Sequence, residues 1–269
     1  PHAPIAGALM TKLGVPAFSQ PESCSVALSS MLHASQLRGG ITYTGSEAIV
    51  PNNLDISELR GSLNEHQAKN LFATFGIPSV REVVVNAQQP NLDSVEALGE
   101  KCVLKILSNE ITHKTEVGGV ALHVPISEIA SKLNTMKVEV KAKSGADIEQ
   151  FLIQEMASGG LEFMVGMHRD PLGTAILVGM GGVTAELFND TNMRLISPGK
   201  ALSAKEVLEM LQELKIWPLL NGYRGRPQSD VNALVNAIVQ FSTMVAVIGD
   251  RLQECEINPI FVFPDGHGV

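Results

Sequence analysis

Positive charge is scarce in this chain. Its 269 residues carry 20 Lys and Arg against 28 Asp and Glu, a net charge of −8. Nucleic acid and anionic membrane surfaces call for a cationic excess, so neither is expected as a partner. A small phosphate ligand needs only local positive groups. Cysteine is scarce too. Cys24, Cys102 and Cys255 are far apart and form neither a CxxC pair nor a metal-ligand spacing, which points to a reduced, cytoplasmic protein. Cys102 and Cys255 lie in apolar strand-like runs and read as small core residues. No signal-peptide pattern, internal repeat or low-complexity run is present. The most apolar long segment, Val231–Ile248, is interrupted at Asn232, Asn236 and Gln240. That single polar stripe at helical spacing marks a packed amphipathic helix, not a membrane span. A zinc-type ligand cluster and a readable Ser/His/Asp or Cys/His triad are also missing.

What is present is enough to bury a large core in one or two domains: 45% of residues are hydrophobic and 18% charged. The chain starts at Pro1 without a methionine and reads as a fragment of something longer. Residues 1–38 read as an αβ tail of a preceding domain, with helices at 7–13 and 25–33 and a short strand at 15–18; Pro21 suits a helix start. Residues 39–59 form a linker punctuated by Gly39-Gly40, Gly45 and Pro51. Ser62–Glu65 then fits a capping box, opening a helix through Ala68, Leu71, Phe72 and Phe75 that stops at Gly76. Strands are expected at 80–85, 101–107, 118–124, 149–155, 161–168, 174–178 and 257–263. Helices are expected at 93–100, from 127, after a second capping box at Ser203 and Glu206, and from Ser229. This mixture without strict βαβ order indicates an α+β (α/β) fold with two lobes, 60–156 and 157–269.

One stretch organises the rest: KCVLKILSNEITHKTEVGGV, residues 101–120. Alternate side chains of a strand share a face, so Lys105 shares one with Val103 and Leu107. A lysine there is costly unless its ammonium reaches an anion or water. His113, Lys114 and Gly118-Gly119 follow, offering an imidazole, an ammonium and backbone N–H groups suited to phosphate. A snorkelling lysine and a solvated loop histidine are the plainer alternatives.

Three further groups stand out. Gln154-Glu155-Met156 ends an apolar strand, and Glu162 follows after Gly159-Gly160; such a crossing can present backbone groups to a planar base and a carboxylate to ribose, or be a plain turn. Glu256 and Asn258 share a strand face and offer two hard oxygens to Mg²⁺, or simply form a strand-entry turn. The glycine run 179–182 lacks the endings of a P-loop or a dinucleotide-binding turn, and tight packing explains it as well. Arg169, Arg194 and Arg224 receive no role.

Taken together and in order, LNEHQAKNLFATFGIP (63–78), VLKI (103–106), HKTEVGGV (113–120), IQEM (153–156), RDPLG (169–173), GMGGV (179–183), LLNGYRG (219–225) and EINP (256–259) resemble the ATP-grasp domain of nucleoside-diphosphate-forming acyl-CoA synthetases. These are the relatives of succinyl-CoA synthetase that include ADP-forming acetate–CoA ligase. The resemblance runs from about residue 60 to the end and implies a two-lobed fold with ATP or ADP and Mg²⁺ between the lobes. It implies Lys105 with Gly118 and Gly119 at the phosphates, and Glu155 with the backbone after it at the adenine, with Gln154 and Met156 as nucleotide-binding neighbours. Glu162 would hold the ribose, Glu256 and Asn258 the metal, and His113 would relay phosphate as a phosphohistidine. It also implies that residues 1–38 end a CoA-ligase-like domain, and that CoA and a carboxylic acid bind domains outside this chain, in an oligomeric full-length enzyme. A further Asp ligand, in a run like D-A-R-I, would follow Val269. Two rivals stay open at this stage: an ATP-grasp carboxylate–amine ligase, and a non-catalytic nucleotide-sensing module fused to a protein acetyltransferase.

Overall fold

The computed structural model describes residues 4–18, 20–37, 45–57, 59–108, 111, 114–157, 159–182 and 190–269. The chain divides into two compact units, Pro1–Tyr43 and Thr44–Val269. The first holds two helices, α1 (Pro4–Lys12) and α2 (Pro21–Leu37). Pro21 does open α2, where its missing N–H costs nothing. The strand expected at 15–18 does not form. Pro16 removes a ladder donor there, and among the described residues no strand pairs with the segment.

The second unit opens in the expected linker, part of which is in fact a strand: β1 (Ser46–Glu47) pairs with β9 (Lys200–Ala201). Its body is built on two four-stranded sheets, antiparallel throughout, which makes the fold α+β. The first sheet runs β2 (Glu82–Asn86), β5 (Gln150–Glu155), β3 (Lys101–Leu107), β4 (Val120–Pro125). Strand parity sends Cys102, Leu104, Ile106, Phe151 and Ile153 to one face, where they pack with Leu133, Met136 and Val140 of α4 (Ile129–Ser144). α4 ends at Gly145, whose φ of +75° suits a residue without a Cβ. Lys105 and Gln154 stand on the other face.

The second sheet runs β10 (Glu254–Val262), β6 (Leu161–Asp170), β7 (Gly173–Met180), β8 (Thr191–Ile196). Its inner residues Phe163, Val165, Met167, Ile176 and Val178 pack with α5 (Ala204–Gln212) and α7 (Val231–Ile248); a short α6 (Trp217–Leu220) lies between these helices in sequence. By length and composition the α7 segment could cross a membrane, yet half of it is buried in this core.

α3 (Glu65–Thr74) departs from two expectations. Its capping box is Asn64 with Gln67, not Ser62 with Glu65: Asn64 Oδ1 accepts from the Gln67 N–H and Gln67 Oε1 from the Asn64 N–H, each at 3.0 Å. The two-residue shift leaves the Glu65 carboxylate available for other partners. The helix also does not pack into the lobe to which 60–156 assigned it. Phe72, Phe75 and Ile77 enter the second core, with the Phe72 ring 6.5 Å from that of Phe241, because α4 already covers the inner face of the first sheet.

Candidate functional site

Four donors from four segments meet on the carboxylate of Glu65. Oε1 accepts from Lys105 Nζ at 2.7 Å, Gln154 Nε2 at 3.0 Å and Lys69 Nζ at 3.1 Å, and Oε2 from Lys114 Nζ at 3.4 Å. Lys69 lies one helical turn from Glu65, the spacing at which such pairs form. Lys105 is where strand parity puts it, and the anion it reaches is Glu65. A second carboxylate, Glu82 at the start of β2, accepts from Lys69 at 2.9 Å and Gln154 at 2.8 Å and pairs with His66 at 2.7 Å. Gln154 is buried, so an amide with two carboxylate partners costs far less than one with none.

The electrostatics follow from this crowding. Burial works to raise the Glu65 carboxyl, but the ammoniums of Lys105, Lys69 and Lys114 outweigh it and hold the group at about 2. Burial likewise opposes Glu82, whose hydrogen bonds from Lys69, His66 and Gln154 bring it below the ordinary carboxylate range. For Lys105 burial wins and the ammonium sits below the usual lysine value, with Glu65 opposing the shift.

Several expected ligands have partners within the chain. Gln154, expected among the nucleotide-binding residues, turns its amide nitrogen onto Glu65 and Glu82. The Glu155 carboxylate accepts from the Arg81 backbone N–H and Nε, both at 2.7 Å, because β2 begins beside the end of β5; the expectation at the adenine concerns Glu155 with the backbone after it. Met156 follows that strand end and is half-buried. Gly118 and Gly119 do not present N–H groups to a phosphate. They donate to Thr115 O and Lys114 O, and a Cβ on Gly119 would strike the Ile106 side chain at 2.6 Å. These glycines serve a close turn against β3. His113 lies outside the described residues, as do Asn109, Glu110 and Thr112.

The second sheet gathers its own group. Gly182, at φ +70°, faces the Glu162 carboxylate so closely that a Cβ would collide with it, and its N–H donates to Asn258 Oδ1 at 3.4 Å. Gly179 and Gly181 press against Asp190 and Phe163 in the same way, so the glycine run is a packing device that brings Glu162 and Asn258 to one backbone position. Asn258 and Pro259 bulge opposite Met164, since Ile257 pairs with Val165 and Ile260 with Phe163. Glu256 pairs with Gly166 two residues before Asn258, and both side chains are exposed. Among the described residues no group of three His, Cys, Asp or Glu could enclose a metal. Two exposed oxygen donors nevertheless fit Mg²⁺, which takes few protein ligands and completes its octahedron with phosphate and water.

The arginines divide. Arg169 ties the end of α7 to β6, donating to Gly249 O, Leu252 O and Asp250. Arg194 links β8 to Glu213 at the end of α5. Arg224 has a positive φ of 52° and stacks over the Tyr223 ring at 5.3 Å. Sequence reasoning set Lys114 beside Lys105 as a second ammonium but missed Glu65, His66, Lys69 and Glu82 as members of the cluster. Only the Glu65–Lys69 spacing carried a signal.

Comparison with known proteins identifies the family. A family model described as ATP-grasp domain matches residues 56–269. ADP-forming acetate–CoA ligase of Methanocaldococcus jannaschii is 32% identical over 96% of this chain, which spans 38% of that enzyme's length. The beta subunit of ADP-forming acetate–CoA ligase II of Pyrococcus furiosus is 30% identical over 80% of this chain and 90% of the subunit. Among solved structures, acetyl-coenzyme A synthetase 1 of Ca. Korarchaeum cryptofilum superposes with a TM-score of 0.64 at 30% identity, over 77% of this chain and 89% of that one. That structure holds coenzyme A and Mg-AMPPCP, with its phosphohistidine segment pointing towards the nucleotide-binding site.

Proposed function

This chain belongs to the ATP-grasp domain family, and on that footing we propose that it is the nucleotide-binding and phosphate-relay part of an ADP-forming acyl-CoA synthetase. The whole reaction would be acid + CoA + ATP ⇌ acyl-CoA + ADP + phosphate. One observation carries the reading. Lys105 stands on the outer face of β3 within a cluster of three ammoniums, all less than a third exposed, that converge on the Glu65 carboxylate. Such a cluster suits the phosphates of a nucleotide, where transfer is mostly positioning and charge stabilisation.

In this reading Lys105 binds phosphate oxygens, Glu162 the ribose, and the main chain after Glu155 the base. Glu256 and Asn258 would hold Mg²⁺, which when bound offsets charge on the phosphates. His113 would take the terminal phosphoryl group of ATP onto a ring nitrogen, the N–P bond forming as the bond to the bridging oxygen breaks and ADP leaves: a neutral imidazole near pH 7 is a competent nucleophile. The sequence HKTEVGGV around it (113–120) and the phosphohistidine segment of the Korarchaeum relative support that role. They favour a relay enzyme over a carboxylate–amine ligase, which passes through an acyl phosphate and needs no histidine carrier. CoA and the carboxylic acid would bind other domains of a larger assembly, in the cytoplasm.

Calorimetric titration with Mg-ATP tests the reading. Lys105→Ala should weaken binding at least tenfold, and Glu256→Ala should weaken it only when Mg²⁺ is present. A Lys105→Ala chain with undiminished affinity would remove Lys105 from the phosphate site.

A further inference from the structure

We infer that Lys69, Lys105, Lys114 and Gln154 together form an oxyanion receptor for the terminal phosphates of a nucleoside polyphosphate, and that Glu65 fills it until the nucleotide takes its place. The inference rests on the reading of Lys105 as a phosphate ligand and extends it to Lys69 and Lys114, to which the family resemblance gave no role, to the side chain of Gln154, and to Glu65 as an internal competitor.

The geometry is that of an anion site already occupied. Four N–H donors, from α3, β3, β5 and the turn before β4, converge on two oxygens of one carboxylate at 2.7–3.4 Å. A helical i,i+4 pair would account for Lys69 alone. Lys105, Lys114 and Gln154 lie 40, 49 and 89 residues from Glu65, and each is aimed by its own segment at the same point. Oε1 alone accepts three of the four bonds, a crowding that the three oxygens of a terminal phosphoryl group would spread more evenly. Charge-assisted bonds of this kind are the strong ones, and lysine makes them to phosphate as well as to carboxylate.

The charges match as well. Among the described residues, the contacts set two groups besides Glu65 against the three ammoniums: Glu82, which shares Lys69 and Gln154, and His66, which sits on Glu82. Among these described groups, three lysines against Glu65 and Glu82 leave one net positive charge. Withdrawal of Glu65 leaves two, the complement of a phosphate carrying close to two negative charges at neutral pH. Withdrawal is also sterically simple. Glu65 is the first residue of α3, so its side chain has no preceding helical turn to trap it, and it keeps 23% of its surface in solvent. The lysines are part-exposed too, at 17–26%, so a ligand can reach them from water. Low local dielectric makes each of these charges count for more than it would on an open surface.

The test is titration of this chain with Mg-ATP and, separately, with AMP, which lacks the terminal phosphates. Glu65→Gln keeps the shape of the side chain and removes its charge. It should bind Mg-ATP at least tenfold more tightly than the unsubstituted chain at pH 7.5, with AMP affinity unchanged. Equal or weaker Mg-ATP binding by Glu65→Gln overturns the displacement, because a merely structural glutamate would loosen the site when neutralised. If circular dichroism shows Glu65→Gln unfolded, Lys114→Gln decides. Tenfold weaker Mg-ATP binding with unchanged AMP affinity supports the receptor, and unchanged Mg-ATP binding overturns it. Failure of the underlying reading looks different: the unsubstituted chain would not bind Mg-ATP, or Lys105→Ala would bind it as well as the parent.

Discussion

Gly182 and Glu162 lie so close that a methyl group on Gly182 would overlap the Glu162 carboxylate. The same glycine donates its N–H to Asn258. One backbone position therefore fixes a residue proposed for ribose and a residue proposed for Mg²⁺, and it can do so only while it lacks a side chain.

Gly182→Ala is expected to act twice. At φ +70° an alanine costs about 1–2 kcal/mol, which should appear as a lower midpoint in urea denaturation. The Cβ should also rotate the Glu162 carboxylate away, since the end of a flexible side chain yields before the backbone does. Mg-nucleotide affinity should then fall more than the stability loss alone would cause, measured where the variant is fully folded. An alanine variant with parental affinity would show that Glu162 and Asn258 do not meet the ligand from this position.

How much of this was legible beforehand depends on whether a residue's partners are local. β3 was read to its ends from KCVLKIL, because alternation and two buried neighbours leave Lys105 one side to occupy. β8 was not read at all, and the reason is physical. In TNMRLI the apolar Met193 and Leu195 are the exposed residues, while Asn192 and Arg194 are half-buried. Asn192 donates to Met210 O and both residues bond Glu213 at the end of α5, so the usual alternation is inverted and carries no strand signal. The candidate site divides the same way. Lys105 could be singled out by parity within seven residues, but its partner Glu65 is 40 residues away on a helix. There a glutamate three residues after Ser62 looked like a cap.

Acid stability should carry the mark of Glu65. Its carboxyl sits at about 2 in the folded chain against an ordinary 4.5, so the stability it contributes is complete above pH 4.5 and is lost progressively as the pH falls toward 2. Glu65→Gln should be less stable than the parent at pH 7 by roughly 1–3 kcal/mol, since three ammoniums lose a shared partner. The gap should close on acidification. Denaturation midpoints of the two chains measured from pH 7 to pH 3 check this, and a gap that stays constant over that range would contradict a depressed Glu65.

Gln154→Leu separates a structural amide from an adenine ligand. The buried Nε2 serves Glu65 and Glu82 at once, so its loss should destabilise the chain by about 1–3 kcal/mol. Selectivity between ATP and GTP should not change, because the amide nitrogen points at carboxylates. A shift in base preference with little loss of stability would place Gln154 at the base site.

His113 is the residue on which the relay depends, and its chemistry gives the sharpest outcome. A phosphoryl group on an imidazole nitrogen is a phosphoramidate, stable to alkali and labile to acid, unlike the esters of serine or threonine. Incubation of this chain with Mg-ATP labelled in the γ-phosphate should leave a label with that behaviour. His113→Ala should carry none, yet should bind Mg-ATP within about twofold of the parent, since the proposed nucleotide ligands Lys105, Glu162, Glu256 and Asn258 are all intact. A nucleophile lost with binding retained is the signature of a group that acts only in the transfer step. Lys105→Ala should lose the label for the opposite reason, through weaker binding, and should recover part of it at high ATP concentration, which His113→Ala cannot. If His113→Ala takes up the same acid-labile label as the parent, the carrier is another residue. If neither chain is labelled although both bind Mg-ATP, the relay reading fails for this chain and the direct-transfer or nucleotide-sensing alternatives take its place.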